Sequence, residues 1–181
     1  MINHRDLARI IETALAEDMP HGDITSTTFL PEAAQAQAHL VAREPGVFAG
    51  GEVFTAVMHA VDPTIRVELL FGEGEAFESR AVLARVEGPA RGVLGAERVA
   101  LNLVQRMTAI ASMTKTFVDA AGPRVRVVDT RKTTPGLRSI ERHAVVCGGG
   151  RNHRYSLSGV VMVKDNHVAL VGDITAALIA A

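Results

Sequence analysis

The sequence predicts a mixed α/β protein with two regions, and three observations lead to that prediction. Over about the first hundred residues, helical and strand-like segments mix between Gly and Pro breaks, which indicates a small α+β unit. From Glu97 onward, a long helical stretch keeps one apolar face until the AAGP segment. Beyond that segment, apolar strands are followed by helices, which is typical of a parallel sheet covered on both faces, either a barrel or a doubly wound sheet.

The first region is predicted to begin with a helix and to continue with three strands. The helix carries apolar residues at helical spacing behind Asn3, its predicted N-cap: Leu7, Ile10, Ile11, Ala14 and Leu15. The strands are expected in AQAHLVARE, IRVELLF and AVLARVEGPA. The helical EVFTAVMHAV lies between the first two strands, and the turn-rich GEGEAFES precedes the third.

The second region is predicted to contain two short apolar strands, RVRVVD at 124–129 and GVVMV at 159–163. The helical LRSIERHAVVC lies between them and ends in a Gly run suited to a C-terminal cap, while Asp173 is expected to cap the final ITAALIAA. Two parallel strands cannot close a barrel or bury both faces of a sheet. We therefore expect an incomplete barrel or sheet, because the sequence is a fragment or because the missing part is supplied in another way.

The composition excludes several classes of protein. The 19 Lys and Arg balance 20 Asp and Glu, and a single Tyr without any Trp offers little for base stacking, so nucleic-acid binding is not expected. No apolar run reaches the roughly 18 residues that a membrane span needs, and the amphipathic N-terminal segment is unlike an export signal. One cysteine, Cys147, allows no disulfide within the chain. We expect a soluble cytoplasmic protein without membrane contact.

Positive charge is concentrated between residues 129 and 167, where seven Lys and Arg outnumber three acids. The seven are Arg131, Lys132, Arg138, Arg142, Arg151, Arg154 and Lys164. In parallel α/β folds, ligands bind at the carboxyl ends of the strands. The predicted strands deliver residues 129–133 and 164–167 to those ends, and GGGRNHR places His153 and Arg154 in a loop between them. These three segments predict a pocket for a ligand with several negative charges.

Some of these charged residues are equally compatible with ordinary structural roles. Arg142 and Arg151 are expected to be solvated, and the role of Arg138 stays open. The alternative for Asp129 and Asp165 is that they only orient neighbouring cations.

Other residues of the second region have structural or open roles. His143 lies on a helical stretch and is expected to be structural, whereas His153 stays undecided. Glycines 148–150 fit either an anion-binding backbone nest or a helix stop with a turn. Cys147 has no neighbouring base in the sequence and is not expected to be a nucleophile. No zinc motif, Walker loop or dinucleotide fingerprint appears.

Four motifs follow one another along the chain: ERVALNLVQRMTAIA, DTRKTTPGLR, CGGGRNHR and VKDNH. In that order and spacing they closely resemble quinolinate phosphoribosyltransferase, the carboxylating nicotinate-nucleotide pyrophosphorylase family of NAD biosynthesis. EDMPHGDITS and AREPGVFAGG fit the same family, so the resemblance covers essentially the whole chain. It implies an N-terminal α/β sandwich domain at residues 1–108, followed by an open α/β barrel of which residues 109–181 form the first part.

The resemblance also implies a reaction and a quaternary structure. Quinolinate and phosphoribosyl pyrophosphate, with Mg²⁺, would give nicotinate mononucleotide, pyrophosphate and carbon dioxide. The implied enzyme is a homodimer in which the N-terminal domain of one subunit closes over the barrel of its partner, and further assembly stays open. The family pattern puts the acidic ligands of Mg²⁺ beyond residue 181, so no metal ligand is expected within this chain.

The motif positions imply the roles of individual residues. The two carboxylates of quinolinate would be bound by Arg131, His153, Arg154 and Lys164. Arg98 would reach the same pocket from the neighbouring subunit, while Lys132 and Thr133 would hold the phosphoribosyl substrate. Lys132 and Lys164 are the residues expected to act in catalysis.

The sequence also departs from the family and leaves alternatives. Thr108-Ala109 stands where the family commonly has Ser-Gly, and Gly159 stands where it often has Asp. One alternative is a non-catalytic remnant that dimerises and binds dicarboxylates without turnover. Another is a barrel lyase that uses Lys164 as a Schiff-base lysine, which borohydride trapping with a carbonyl substrate would detect.

Overall fold

A computed structural model describes residues 2–179 of the chain. The helices within this range are α1 His4–Asp18, α2 Ile24–Phe29, α3 Gly51–Val61, α4 Ala90–Ala121, α5 Arg138–Cys147, α6 Asp165–Val171 and α7 Ile174–Ile179. The strands are β1 Gln35–Val41, β2 Gly46–Val47, β3 Arg66–Leu69, β4 Ala76–Phe77 and β5 Val82–Pro89. The mixed α/β class expected from the sequence is confirmed.

The strands of the first region form an antiparallel sheet with the order β1-β5-β3, and β2 pairs separately with β4. The central strand β5 alternates between its faces, because Ala84 and Val86 are buried while Arg85 and Glu87 are exposed. Val86 lies opposite Ala38 on β1 and Val67 on β3. This alternation is what an antiparallel sheet with one face on the core requires.

Helix α4 is the longest element and joins the two regions. Its buried residues include Val93, Ala96, Leu103 and Met107, which belong to the same core as α3 and β5. It begins at Ala90, earlier than the Glu97 expected from the sequence. Gly92 weakens the helical pattern in the sequence at this point. In the structure the glycine allows α4 to pack closely on Asp62, just after α3, because a Cβ at position 92 would lie 3.0 Å from the Cβ of Asp62.

The prediction of two strands in the second region is wrong. Val128 forms one isolated parallel bridge with Arg151, and residues 159–163 run from a turn into irregular backbone. A strand needs a neighbour for its backbone hydrogen bonds, and residues 2–179 provide no ladder for either segment. The described residues therefore contain no closed barrel.

The helix ends agree with the predicted caps. Asn3 accepts a hydrogen bond from the Arg5 N–H at 2.9 Å, and Asp173 accepts one from the Ala176 N–H at 2.8 Å. The last two residues of ITAALIAA, 180 and 181, lie outside the described residues. Helix α2 was not predicted, although Asp23, which accepts from the Ser26 N–H at 3.0 Å, is a recognisable cap.

None of the helices in the described range has the length and apolar character that crossing a membrane requires.

Candidate anion-binding site

Three segments of the second region meet around a cavity of about 380 Å³. Its lining residues are Asp129, Thr130, Arg131, Lys132, His153, Arg154, Met162 and Lys164. The first segment precedes α5, the second follows α5, and the third immediately precedes α6. Five of the seven residues expected to form the site therefore lie around one cavity, without the strands that were expected to carry them.

Asp129 fixes two of these segments relative to each other. The parallel bridge brings it beside the loop after α5, where its carboxylate accepts a hydrogen bond from the His153 N–H at 2.7 Å. The same carboxylate lies 3.3 Å from Nε of Arg142, and both side chains are buried. Arg142 also donates to the His153 carbonyl at 2.7 Å. The prediction that Arg142 is solvated is wrong, because it neutralises and orients a buried aspartate.

Arg138, left open by the sequence, holds the backbone around the cavity. Its guanidinium donates to the Thr133 hydroxyl at 3.0 Å, to the Tyr155 carbonyl at 3.2 Å and to the Arg131 carbonyl at 3.3 Å. The Arg142 guanidinium lies 5.1 Å from the centre of the Tyr155 ring, within reach of a cation–π contact. Thr133 consequently lines a neighbouring cavity rather than the one around Arg131.

The cavity has a surplus of positive charge. Among the described residues, no carboxylate lies within ion-pair distance of Arg131, Lys132, Arg154 or Lys164. In the same part of the chain, the buried Nε of Arg131 has no hydrogen-bond partner. An unpaired cation in a partly dry site is unfavourable, so a bound anion would be strongly stabilised here.

Two other expectations concern residues outside this cavity. Arg98 lies on the exposed surface of α4 and does not line the cavity of its own chain. Arg151 is exposed, as predicted, although its backbone forms the bridge to Val128. Any contribution of Arg98 to a second subunit's site stays a prediction.

Sequence reasoning missed a second support for the loop before α5. Arg106 on α4 donates from Nε to the Glu141 carboxylate at 2.8 Å, and it also donates to the Thr134 hydroxyl. The other carboxylate oxygen of Glu141 accepts from the Thr134 N–H at 3.2 Å. The acidic residue in the first turn of α5 was the available signal, but nothing local indicated that α4 supplies its partner.

The Gly run after α5 supports the helix-stop interpretation. A side chain at Gly148 would lie 2.3 Å from the Ala111 carbonyl oxygen, and Gly149 has a φ of +87°. These glycines let the end of α5 pack directly on α4.

The two departures from the family pattern have different surroundings. Thr108 keeps a hydroxyl, which donates to the Ala49 carbonyl at 3.1 Å. A Cβ added at Gly159 would meet nothing within 4 Å, so the fold itself does not require glycine there.

These observations define a mixed α/β protein with a cavity lined by several cations. Residues 23–108 match the family model of the quinolinate phosphoribosyl transferase N-terminal domain, and residues 110–181 match that of the C-terminal domain. The chain belongs to the quinolinate phosphoribosyltransferase family, which confirms the resemblance found in its motifs.

Curated relatives and solved structures agree with this assignment. Over 174 residues the chain is 42% identical to the chloroplastic carboxylating nicotinate-nucleotide pyrophosphorylase of Oryza sativa subsp. japonica, covering 96% of this chain and 47% of that protein. It is 38% identical to the probable carboxylating nicotinate-nucleotide pyrophosphorylase of Bacillus subtilis, covering 96% of this chain and 60% of the relative. The crystal structure of NadC from Streptococcus pyogenes matches with a TM-score of 0.94 and 38% identity, over 99% of this chain and 65% of that one.

The comparisons also concern the length of the chain relative to its relatives and its cellular location. The chain spans about half the length of the plant relatives that it matches. Because some relatives are named chloroplastic or mitochondrial, the expected cytoplasmic location stays a prediction.

Proposed function

We propose that this chain takes part in transferring the phosphoribosyl group of phosphoribosyl pyrophosphate to quinolinate, with decarboxylation, to give nicotinate mononucleotide, pyrophosphate and carbon dioxide. The observation that carries the proposal is the cavity whose cations have no carboxylate partner among the described residues. Quinolinate is a dianion and its co-substrate is more negative still, so fixed cations must offset their repulsion. Family membership supports the same reaction.

We assign the carboxylates of quinolinate to the cavity residues Arg131, His153, Arg154 and Lys164. Guanidinium groups can hold carboxylates through paired hydrogen bonds, which would fix the pyridine nitrogen against the anomeric carbon of the sugar. Lys132 would contact the phosphoribosyl substrate from the same cavity. Thr133 would assist from the adjoining one, where its hydroxyl contacts Arg138.

The proposed chemistry requires little proton transfer from the protein. The pyridine nitrogen forms a bond to the anomeric carbon as the bond from that carbon to pyrophosphate breaks. The ring is then positively charged and accepts the electron pair released when the 2-carboxylate leaves as carbon dioxide. A proton from solvent replaces the carboxylate. Lys132 and Lys164 would act by stabilising charge on the leaving group and on quinolinate.

The cavity residues do not fit a Mg²⁺ site. Asp129 is the only carboxylate that lines the cavity within residues 2–179, and it is already paired with Arg142. Mg²⁺ prefers oxygen ligands and avoids a cluster of cations. We therefore treat the ion as a companion of phosphoribosyl pyrophosphate and propose that its protein ligands lie outside this sequence.

We further propose the division into an N-terminal α/β sandwich domain, residues 1–108, and the first part of an open α/β barrel, residues 109–181. The two family matches meet at this position, and the antiparallel sheet lies wholly before it. In a homodimer of this design, Arg98 would contribute to the partner's cavity, which is consistent with its exposure on α4.

A mixing experiment tests the shared site. Arg98→Ala and Arg131→Ala proteins, each defective alone, are unfolded together and refolded so that mixed dimers form. We expect quinolinate binding to recover, because a mixed dimer contains one site with neither substitution. Binding that stays at the level of each variant alone would contradict a shared site.

Calorimetric titration with quinolinate tests the binding proposal directly. Pyridine-2-carboxylate and pyridine-3-carboxylate are the matched controls, since each carries one of the two carboxylates. We expect quinolinate to bind more tightly than either monoanion. Equal affinities would overturn the assignment of the cavity to both carboxylates, whereas tight binding without product formation would support a non-catalytic dicarboxylate-binding protein.

A further inference from the structure

Three potential metal ligands meet where the loop between β3 and β4 contacts α5. The nearer carboxylate oxygen of Glu73, Oε2, lies 3.0 Å from Nε2 of His143 and 3.1 Å from Sγ of Cys147. All three ligand atoms lie within 4.8 Å of one another. His143 and Cys147 are four residues apart on α5 and therefore share one face of the helix. None of the three lines the anion cavity.

Backbone N–H groups at the start of α3 hold the Glu73 carboxylate in place. Its other oxygen, Oε1, accepts hydrogen bonds from the Gly51 N–H at 2.7 Å and the Gly50 N–H at 3.0 Å at the start of α3. Oε2 also accepts from the Gly50 N–H, at 3.1 Å, and faces His143 and Cys147. Hydrogen bonds of this kind orient ligating carboxylates in metal sites.

The loop also lies unusually close to the end of α5. Gly74 has a φ of +82°, and a side chain there would come within 3.0 Å of the Cys147 carbonyl oxygen. The glycine thus lets the backbone of the first region approach the helix of the second. The ligand atoms are brought together by this contact and not by a local sequence motif.

We propose that Glu73, His143 and Cys147 form a binding site for a borderline divalent cation of the Zn²⁺ or Co²⁺ class, with a fourth position open to water. Mixed oxygen, nitrogen and sulfur donors suit this class, whereas Mg²⁺ requires oxygen ligands. The side chains of His143 and Glu73 are 15% and 33% exposed, so an ion can enter from solvent. The site is independent of the proposed transferase activity.

Binding exchanges protons for the metal in a balanced way. Without metal, the Cys147 thiol donates a hydrogen bond to the Glu73 carboxylate. Burial and, to a smaller extent, this neighbouring carboxylate raise the pKa of the Cys147 thiol to about 12. On binding, the thiol proton passes to solvent and the thiolate bonds the metal. Without metal, Nε2 of His143 donates its proton to Glu73; on binding, that proton passes to solvent, Nδ1 takes a proton from solvent, and the lone pair of Nε2 binds the metal. The two positive charges of the ion then equal the two negative charges of carboxylate and thiolate.

A bound ion would tie the loop of the first region to α5 in the second. Because a ligand that binds only the folded chain stabilises it by mass action, thermal stability provides a readout independent of catalysis.

The test is a Co²⁺ titration of the reduced, metal-free chain, followed by absorption and by thermal unfolding. We expect one equivalent of Co²⁺ to produce a thiolate-to-cobalt charge-transfer band and to raise Tm, with no rise from Mg²⁺. Cys147→Ser should lose the band, and His143→Gln should weaken binding at least about tenfold, the scale on which altered metal-site contacts act. His39→Gln, at an exposed histidine on β1, is the control and should leave both signals unchanged.

Three outcomes would overturn the proposal: no thiolate band, unchanged affinity in His143→Gln, or an equal loss in His39→Gln. Should the α5 variants fail to fold, the unsubstituted chain still decides the question. Cys147 is its single cysteine, so alkylation reports on that residue alone. Zn²⁺ should slow alkylation and a chelator should restore it, and a rate unaffected by Zn²⁺ would refute the site.

Discussion

The two regions of the molecule differ in how they bury apolar side chains. In the first, Phe48 and Val53 have 0% exposure, inside a core shared by sheet and helices. The second region adds Ile140 and Ala144 of α5 to that core, but beyond α5 Val161 is 77% exposed and Leu170 is 89% exposed. The cations of the anion cavity lie in that second region, around a single parallel bridge. Stability is therefore concentrated in the first region and the proposed binding chemistry in the second.

The largest expected effect tests the stability side of this contrast. Phe48→Ala should lower the free energy of unfolding by about 3–5 kcal/mol, because it removes a fully buried aromatic ring and leaves a cavity. Leu170→Ala should change it by less than about 0.5 kcal/mol, since that side chain is exposed. Chemical denaturation of both variants provides the measurement, and similar losses would remove the distinction between the regions.

The second effect concerns the charged framework beneath the cavity. Arg142→Ala should cost about 3 kcal/mol of unfolding free energy, because it leaves the Asp129 carboxylate buried without its partner. It should also weaken quinolinate binding, since His153 loses its support. Arg124→Ala removes an exposed arginine and is the matched control for denaturation and calorimetry. An equally small effect of both substitutions would show that the buried pair is unimportant.

The third effect separates binding from stability within the second region. Arg131→Ala should weaken quinolinate binding by about 2 kcal/mol, roughly thirtyfold, the scale for removing one partner of a charge-assisted pair. Arg154→Ala should act similarly. Stability should hardly change with Arg131→Ala, since no described residue pairs with that guanidinium. Unchanged affinity by calorimetry would contradict the cavity assignment.

The smallest effect is a pH dependence that links the two regions in the metal-free chain. Burial raises the pKa of Glu73, but hydrogen bonds from His143, Gly50, Cys147 and Gly51 outweigh it and lower the pKa from 4.5 to about 2. The folded state therefore takes up a proton less readily than the unfolded state. The resulting stabilisation is present above about pH 4.5 and is lost as the pH falls toward 2.

Unfolding free energies measured between pH 5 and pH 2 would check this dependence. Glu73→Gln should flatten the profile, while Glu68→Gln, in an exposed pair with Arg85, should leave its shape unchanged. A profile that is equally steep after Glu73→Gln would show that other groups control acid unfolding.

Much of the fold could be predicted from local pattern. The apolar spacing of Leu7, Ile10 and Ile11 located α1, and the three strands of the first sheet were found from their composition. The segments around the cavity were also identified, because their cations follow apolar runs. Local pattern could not reveal pairing: residues 124–129 and 159–163 have strand composition but no strand neighbours within the described range.

The site errors have the same physical origin. Arg142 lies among charged residues on α5, and only the tertiary structure reveals the buried Asp129 behind it. Glu73 is 70 residues from His143 and 74 from Cys147, so no spacing rule could bring the three together. Sequence alone indicated which residues carry charge, whereas burial and partners depended on contacts between segments that are far apart in the sequence.

Helix α4 has a mechanical consequence for the whole molecule. The family matches change between residues 108 and 110, in the middle of this helix, where no flexible linker exists. Its 32 residues form a rod about 48 Å long at 1.5 Å per residue. Hinge motion between the two halves would have to bend this rod, breaking its backbone hydrogen bonds. The halves should therefore turn as one body in solution, a property that rotational diffusion would reveal.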